Sequence, residues 1–344
     1  MALEAGVAPR TLQEFLSLHK WDEEQVRRRV HEIVMDRHAE ENATALIDET
    51  GHPKDGEKTP GVQRQYCGAL GKVDNCVVTV HVGYATDSFH TLLDGDLFLP
   101  EHTWAVDRER CRAAGIPDTV TYRPKWQIAL DVLKRTMANG VRYKYLVADE
   151  AYGVAAEFRR QTAELGLVYV VEVSCSLRGW TVAGTLGDDI DARRVDALWP
   201  RGGPSWEMFH VKDTDKGPVV WDVRAARFHP SEDKGLGEEG WLLVARNVLT
   251  GEVKYFLSNA AADTPVETLL HVAFSRYHVE HLFREAKGET GMSQFEVRSY
   301  RSLMRHLILS TVSLLFLNEQ VEPLRKKNPL VDPVPGPSDR RSAA

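Results

Sequence analysis

Tyr143-Lys144-Tyr145-Leu146-Val147-Ala148-Asp149-Glu150-Ala151-Tyr152-Gly153 reads as a strand that ends on two acids and turns through Tyr-Gly into a helix. That helix is expected over about 154–165, and a strand over 167–173 completes a strand, helix, strand unit. Just upstream, Lys125 to Met137 carries Ile128, Leu130, Leu133 and Met137 as a helical stripe, closed by Asn139-Gly140. A loop with Pro100 and Pro117 precedes it, and three short β runs precede the loop. The first is Ala45-Leu46-Ile47, ending in Asp48-Glu49 and followed by a Gly/Pro/Lys loop from Gly51 to Gly61. The others are 62–70 and 75–84, with Gly71 and Asp74-Asn75 as turn residues between them and Cys76-Val77-Val78-Thr79-Val80-His81-Val82 at the centre of the second. Residues 9–40 fit two short helices, with Leu12, Phe15 and Leu16 in one and Val26, Val30, Ile33 and Val34 in the next, after Asp22.

Antiparallel strands therefore come first and a parallel crossover second, which is unlike a chain of alternating strands and helices. The order matches a ribonuclease-H-like layout: an α/β fold with a mixed five-stranded sheet and flanking helices. From Cys175 to about Ala262 the character changes, because Trp180, Trp199, Trp206, Trp221 and Trp241 sit among short β runs and Gly/Pro turns. This is a β-rich insertion. Thr264-Pro265-Val266-Glu267 has the look of a capped helix start, and helix is expected from there to Gly288, then again over Ser302 to Val321. The expected organisation is an N-terminal helical segment (1–42), the first part of the core (43–174), the insertion (175–262), a helical completion (263–321) and a flexible tail (322–344).

With a formal net charge of −7, the chain is not one that coats nucleic acid through bulk charge, although a local basic groove or bound metal ions would still recruit phosphates. Arg27, Arg28 and Arg29 are interspersed with acids and are expected to touch phosphates nonspecifically at most. Cys67, Cys76, Cys111 and Cys175 form no Cys-x-x-Cys pair, so reduced thiols in a cytoplasmic protein are expected. Neither a secretory signal nor a membrane span is expected, since the most apolar run, within Leu307 to Leu317, is far shorter than the ~20 residues a bilayer requires.

Two strands ending in Asp-Glu would bring carboxylates about 4.8 Å apart if they are neighbours, and like charges at that distance call for a cation between them. Oxygen donors suit Mg²⁺ or Mn²⁺. Side chains alternate along a strand, so one member of each dipeptide faces the site. A pair of ions ~4 Å apart, as in phosphoryl transfer, needs a third acid, and the late helix offers Glu280 and Glu285. Arg276, Glu280, Phe283 and Lys287 share one helix face and present an acid flanked by two bases; Glu285 lies off that stripe. His278-Val279-Glu280-His281 lacks a third clear ligand for zinc, and Gly68-Ala69-Leu70-Gly71-Lys72 lacks the first Gly of a phosphate loop.

Ile47-Asp48-Glu49-Thr50-Gly51, Gly61-Val62-Gln63-Arg64-Gln65-Tyr66-Cys67-Gly68, Asp107-Arg108-Glu109-Arg110-Cys111-Arg112, Ala148-Asp149-Glu150-Ala151-Tyr152-Gly153 and Val279-Glu280-His281-Leu282-Phe283-Arg284-Glu285-Ala286-Lys287, in this order, resemble bacterial insertion-sequence transposases of the Asp-Asp-Glu type. The resemblance runs from about residue 1 to 320. It implies that Asp48, Asp149 and Glu280 bind two Mg²⁺ (or Mn²⁺) ions and catalyse cleavage and strand transfer at transposon ends. It also implies double-stranded DNA as the partner and a homodimer in the DNA complex. A branch of the family carries Tyr-x-x-Arg-x-x-x-Glu-x-x-x-x-x-x-Lys on the Glu helix; Arg276, Glu280 and Lys287 match it, and Ala273 stands at the Tyr position. Arg276 and Lys287 are thus expected DNA contacts, with Trp180, just after the last core strand, as the candidate for base stacking. Family members commonly begin with more helical sequence, so part of an end-recognition module is expected to be absent. A relative that binds DNA as a regulator or scaffold without transposing, and a nuclease without strand transfer, would share the acids.

Overall fold

The structure, a computed structural model, describes residues 6, 8–182, 191–199, 203–214, 217–232 and 235–327. Two helices come first, α1 (Pro9–Ser17) and α2 (Glu23–His38). Asp22 caps α2 by accepting from the backbone N–H groups of Glu24 and Gln25. The buried stripe of α2 is Arg27, Val30, His31 and Val34, one face of a helix. Arg27 is therefore an interior residue, donating to Asp94 at 2.8 Å, and does not reach phosphates as expected; Arg29 pairs with Glu32 at 3.0 Å on the surface.

Four strands follow: β1 (Thr44–Pro53), β2 (Gln63–Cys67), β3 (Lys72–Ala85) and β4 (His90–Leu97). β1 lies antiparallel to β3 from Thr44 opposite Ala85 to Pro53 opposite Cys76. It does not end at Asp48-Glu49, as its apolar run suggested, because β3 supplies hydrogen-bond partners past the acids. Gly71, at φ 63°, takes up the left-handed turn before β3, and Asp74 and Asn75 sit inside the strand rather than in the turn. β4 occupies what read as loop. Its Asp94-Gly95-Asp96 segment hides a strand that pairs with β3 over Thr79–Ala85.

Next come α3 (Arg108–Ala113), α4 (Lys125–Ala138), β5 (Tyr145–Ala148), α5 (Glu150–Gly153), α6 (Ala156–Glu164) and β6 (Val168–Val173). The helix expected over 154–165 is α6, and a separate single turn, α5, precedes it where Tyr152-Gly153 reads as a turn. β5 runs parallel to β1 and to β6, which gives the order β4-β3-β1-β5-β6. This is the expected five-stranded mixed sheet of a ribonuclease-H-like fold, with β4 as its third antiparallel member and β2 as an extra arm hydrogen-bonded to β3.

The stretch after β6 contains β7 (Arg178–Thr181), β8 (Arg193–Arg194), β9 (Glu207–Thr214), β10 (Gly217–Glu232), β11 (Gly235–Leu236), β12 (Gly240–Asn247) and β13 (Val253–Ser258). β13 pairs antiparallel with β6, so these strands prolong the same sheet in the order β6-β13-β12-β10-β7-β8. Three helices close the described chain: α7 (Val266–Ser275), α8 (Tyr277–Gly288) and α9 (Tyr300–Lys327). The helix expected over 265–288 is divided at Arg276, and α7 starts from Pro265 without a side-chain cap, so Thr264 does not serve as one. Residues 322–327 are helical, while the rest of the expected tail, 328–344, lies outside the described residues.

The central sheet is covered on both faces, and strand alternation sorts its side chains between them. Leu46 packs with Leu269, Leu270, Val279, Leu282 and Leu307 of α7 to α9. Ala45 and Ile47 pack with Ile128, Ala129, Val132 and Leu133 of α4. Asp48 consequently emerges on the α8 face and Glu49 on the α4 face. No helix among the described residues is long and apolar enough to cross a membrane.

Candidate active site

The parallel register pairs Leu46 of β1 with Val147 of β5. Two residues further, just beyond the end of β5, it sets Asp48 beside Asp149. Asp149 is held at the strand end because its Oδ1 accepts from the N–H of Ala151, capping the single turn of α5 at 3.0 Å. Burial, followed by the charge of Asp149, pushes the Asp48 carboxyl up to about 7, against the pull of Arg276. Asp149 is likewise raised, first by burial and then by Glu49. Two crowded, partly buried carboxyls with too little positive charge beside them are a fit for a divalent cation.

α5 approaches β6 so closely that Gly153 has no room for a side chain. A Cβ there would overlap the carbonyl oxygen of Glu172 and crowd Val171. Backbone must move to admit it. Gly153→Ala is expected to cost about 1–3 kcal/mol and to shift Asp149; a melting temperature equal to that of the unsubstituted chain would contradict this.

α8 brings the remaining residues. Arg276 donates from one guanidinium nitrogen to Asp48 Oδ2 at 3.3 Å and from the other to Glu280 Oε1 at 2.8 Å. Phe283 is buried edge-on against His81. Lys287 donates to the Gly51 carbonyl at 3.1 Å, and burial lowers its pKa. The shared face of Arg276, Glu280, Phe283 and Lys287 thus lies along β1. Glu280 itself is 63% exposed and engaged with Arg276. Glu285 pairs instead with His281 at 3.2 Å. Among the described residues, no three His, Cys, Asp or Glu side chains converge closely enough to hold an ion as they stand. Asp48 and Asp149 are together; Glu280 joins them only if it leaves Arg276.

The seat of α8 is fixed at its far end by the second half of β1. His52 Nδ1 lies 2.9 Å from Ser293 Oγ and its Nε2 lies 2.8 Å from Thr79 Oγ1. Lys54 donates to the carbonyls of Ser293 and Phe295 and stacks over the Phe295 ring. Burial keeps His52 neutral, pushing its pKa well below the usual histidine range.

Beside Arg276 and Glu280 opens a cleft of about 170 Å³, lined by Trp221, Phe256, Phe274, Tyr277 and Lys254 among others. Ala273, at the position of the signature Tyr, is buried in its wall. Trp180 is on β7, with β13, β12 and β10 between it and β6, and is not among the residues lining this cleft. On the opposite face Glu49 accepts from Lys125, at the start of α4, and from the Tyr152 hydroxyl at 2.7 Å. Lys125 and Tyr152 were not singled out in the sequence; alternation from Asp48 to Glu49 was the available signal, but their meeting depends on how α4 and α5 pack.

The mixed sheet, with Asp48 midway along β1 beside Asp149 just past the end of β5, is that of a ribonuclease-H-like nuclease fold. The chain belongs to the DDE superfamily endonucleases, whose family model matches residues 1–193. It is similar to the probable transposase for insertion sequence element IS701 of Microchaete diplosiphon, with 33% identity over 165 residues. That match covers 47% of this chain and 40% of the relative, so the chain spans well under half of that protein's length.

Proposed function

We propose that the chain is the catalytic core of an insertion-sequence transposase, cutting DNA and joining its ends with divalent ions held by Asp48, Asp149 and Glu280. The observation that carries this is the placement of two partly buried aspartates side by side, Asp48 midway along β1 and Asp149 just past the end of the parallel β5, beneath a helix presenting Arg276, Glu280 and Lys287. Mg²⁺ or Mn²⁺, two per site, would activate the attacking hydroxyl and stabilise the departing oxygen. Arg276 neutralises the acids and, on exchanging them for a DNA phosphate, would release Glu280 to turn inward. Lys287 keeps a cation at the edge of the pocket. Trp180 remains the proposed stacking residue only if DNA extends along the sheet to β7. Double-stranded transposon ends and target are the proposed partners, a homodimer the assembly on DNA, and the cytoplasm the compartment.

A regulator or scaffold that binds DNA without cutting it is the second reading, favoured by the outward position of Glu280. Incubating the full chain with Mg²⁺ and candidate end DNA separates the readings. Nicked and joined products, lost in EDTA and in Glu280→Gln, are expected. Binding without any cut would favour the scaffold, and cuts without joining would favour a simple nuclease.

A further inference from the structure

The two faces of the sheet edge are unequal in what has been assigned to them. On the α8 side Arg276 and Lys287 flank the acids. On the α4 side Lys125 is the first residue of its helix, and its ammonium is engaged by Glu49. This pair is not deeply buried: the Lys125 side chain is 35% exposed and that of Glu49 24% exposed. Next to it, Lys125 faces the Phe98 ring at 5.6 Å, and Phe98 meets the exposed Tyr122 edge-on at 6.2 Å between centroids. A flexible cation, an exposed aromatic ring and a carboxylate that can release the cation lie together beside the acid pair. Tyr152, fully buried on α5, anchors the other oxygen of Glu49 from below, so the carboxylate stays in place when the lysine moves.

We propose that Lys125 is a DNA phosphate contact, held on Glu49 until the strand crosses the middle of β1 and the carboxyl end of β5, where it exchanges the carboxylate for the backbone on the face opposite Arg276. The proposal rests on the reading of the site as a DNA-processing centre. An extended polyanion passing over a sheet edge meets both faces, and one-sided cations would leave half of it against acids. Cation binding at Asp48 and Asp149 would reduce the negative charge that holds Lys125 on Glu49. Glu49 therefore acts as a positioning residue, and Lys125 touches the substrate.

The test is salt-dependent binding of the full chain to a labelled duplex of arbitrary sequence in Mg²⁺ buffer, read by anisotropy. Lys125→Met is expected to weaken binding several-fold and to reduce the slope of log K against log salt by about 0.9, the loss of one phosphate contact. Lys125→Arg restores both. Glu49→Gln frees the ammonium and tightens binding, and most of that gain disappears in the Glu49→Gln, Lys125→Met double variant. An unchanged slope in Lys125→Met would overturn the proposal. So would equal weakening by Lys125→Met and Glu49→Gln, because a pair that only builds the wall of the pocket fails the same way from either side. An unsubstituted chain without salt-dependent DNA binding would instead defeat the functional reading on which this one rests.

Discussion

Asp149→Asn should abolish Mg²⁺-dependent cleavage, by on the order of 10³-fold or more, while leaving the protein at least as stable as before. The two halves of this expectation come from different properties of one side chain. As a helix cap, asparagine serves nearly as well as aspartate, so the bond to the Ala151 N–H and the turn into α5 survive. As a charge, Asp149 is unfavourable in the folded chain: it sits beside Asp48, raises that carboxyl and is itself raised by burial and by Glu49. Removing the charge relieves the crowding, and the melting temperature should hold or rise slightly. A structural aspartate would behave in the opposite way, losing stability with activity. Cleavage assays and thermal melts on the same preparation decide it. Retained cutting would remove Asp149 from the catalytic set, and a large fall in melting temperature with no cutting would leave its role architectural.

The juxtaposition of Asp48 and Asp149 was legible in the sequence because it depends on local facts: two apolar strands, each followed by Asp-Glu, in a strand order that makes them parallel neighbours. The face shared by Arg276, Glu280, Phe283 and Lys287 was legible for a similar reason, helical spacing. What could not be read depended on partners distant in the chain. β1 continues through Gly51, His52 and Pro53 because β3 lies beside it, and the composition of that segment alone says loop. β4 contains Asp94 and Asp96, which break its apolar pattern, yet both are buried, matched by Arg27 and Arg135 in one case and Arg123 in the other. Arg27 reads as a surface base and is an interior one. The Trp-rich insertion is equally mixed: Trp221 is buried in the wall of the cleft, while Trp206 is covered by the guanidinium groups of Arg224 and Arg246. The charged clasp of Glu49 with Lys125 and Tyr152 joins three segments that no spacing rule connects.

The buried cluster on β4 leads to the largest expected effect on stability. Asp94, its side chain 1% exposed, accepts from Arg27 of α2 at 2.8 Å and from Arg135 of α4 at 2.6 Å, so one carboxylate joins both helices to the sheet. Burial alone would raise its pKa, but Arg135 and Arg27 overcome that and hold it below the usual carboxylate range. Asp94→Ala leaves the buried Arg27 with only the exposed Glu24 as partner and strips the part-exposed Arg135 of its carboxylate, and should cost about 3 kcal/mol. Asp94→Asn should cost nearly as much at neutral pH despite its matching shape. Because the folded pKa is depressed, the stability Asp94 supplies is present above the unfolded value of about 3.9 and is lost as pH falls through the folded one. The gap between the unsubstituted chain and Asp94→Asn should therefore be constant from neutral pH down to about 5 and narrow below about 4. Replacing all three members with apolar side chains of similar size should recover most of the loss, since desolvating three charges is itself expensive. Urea unfolding at several pH values measures each of these. A single variant as stable as the parent, or a gap that widens in acid, would show that the carboxylate does not hold the two helices in the way its geometry indicates.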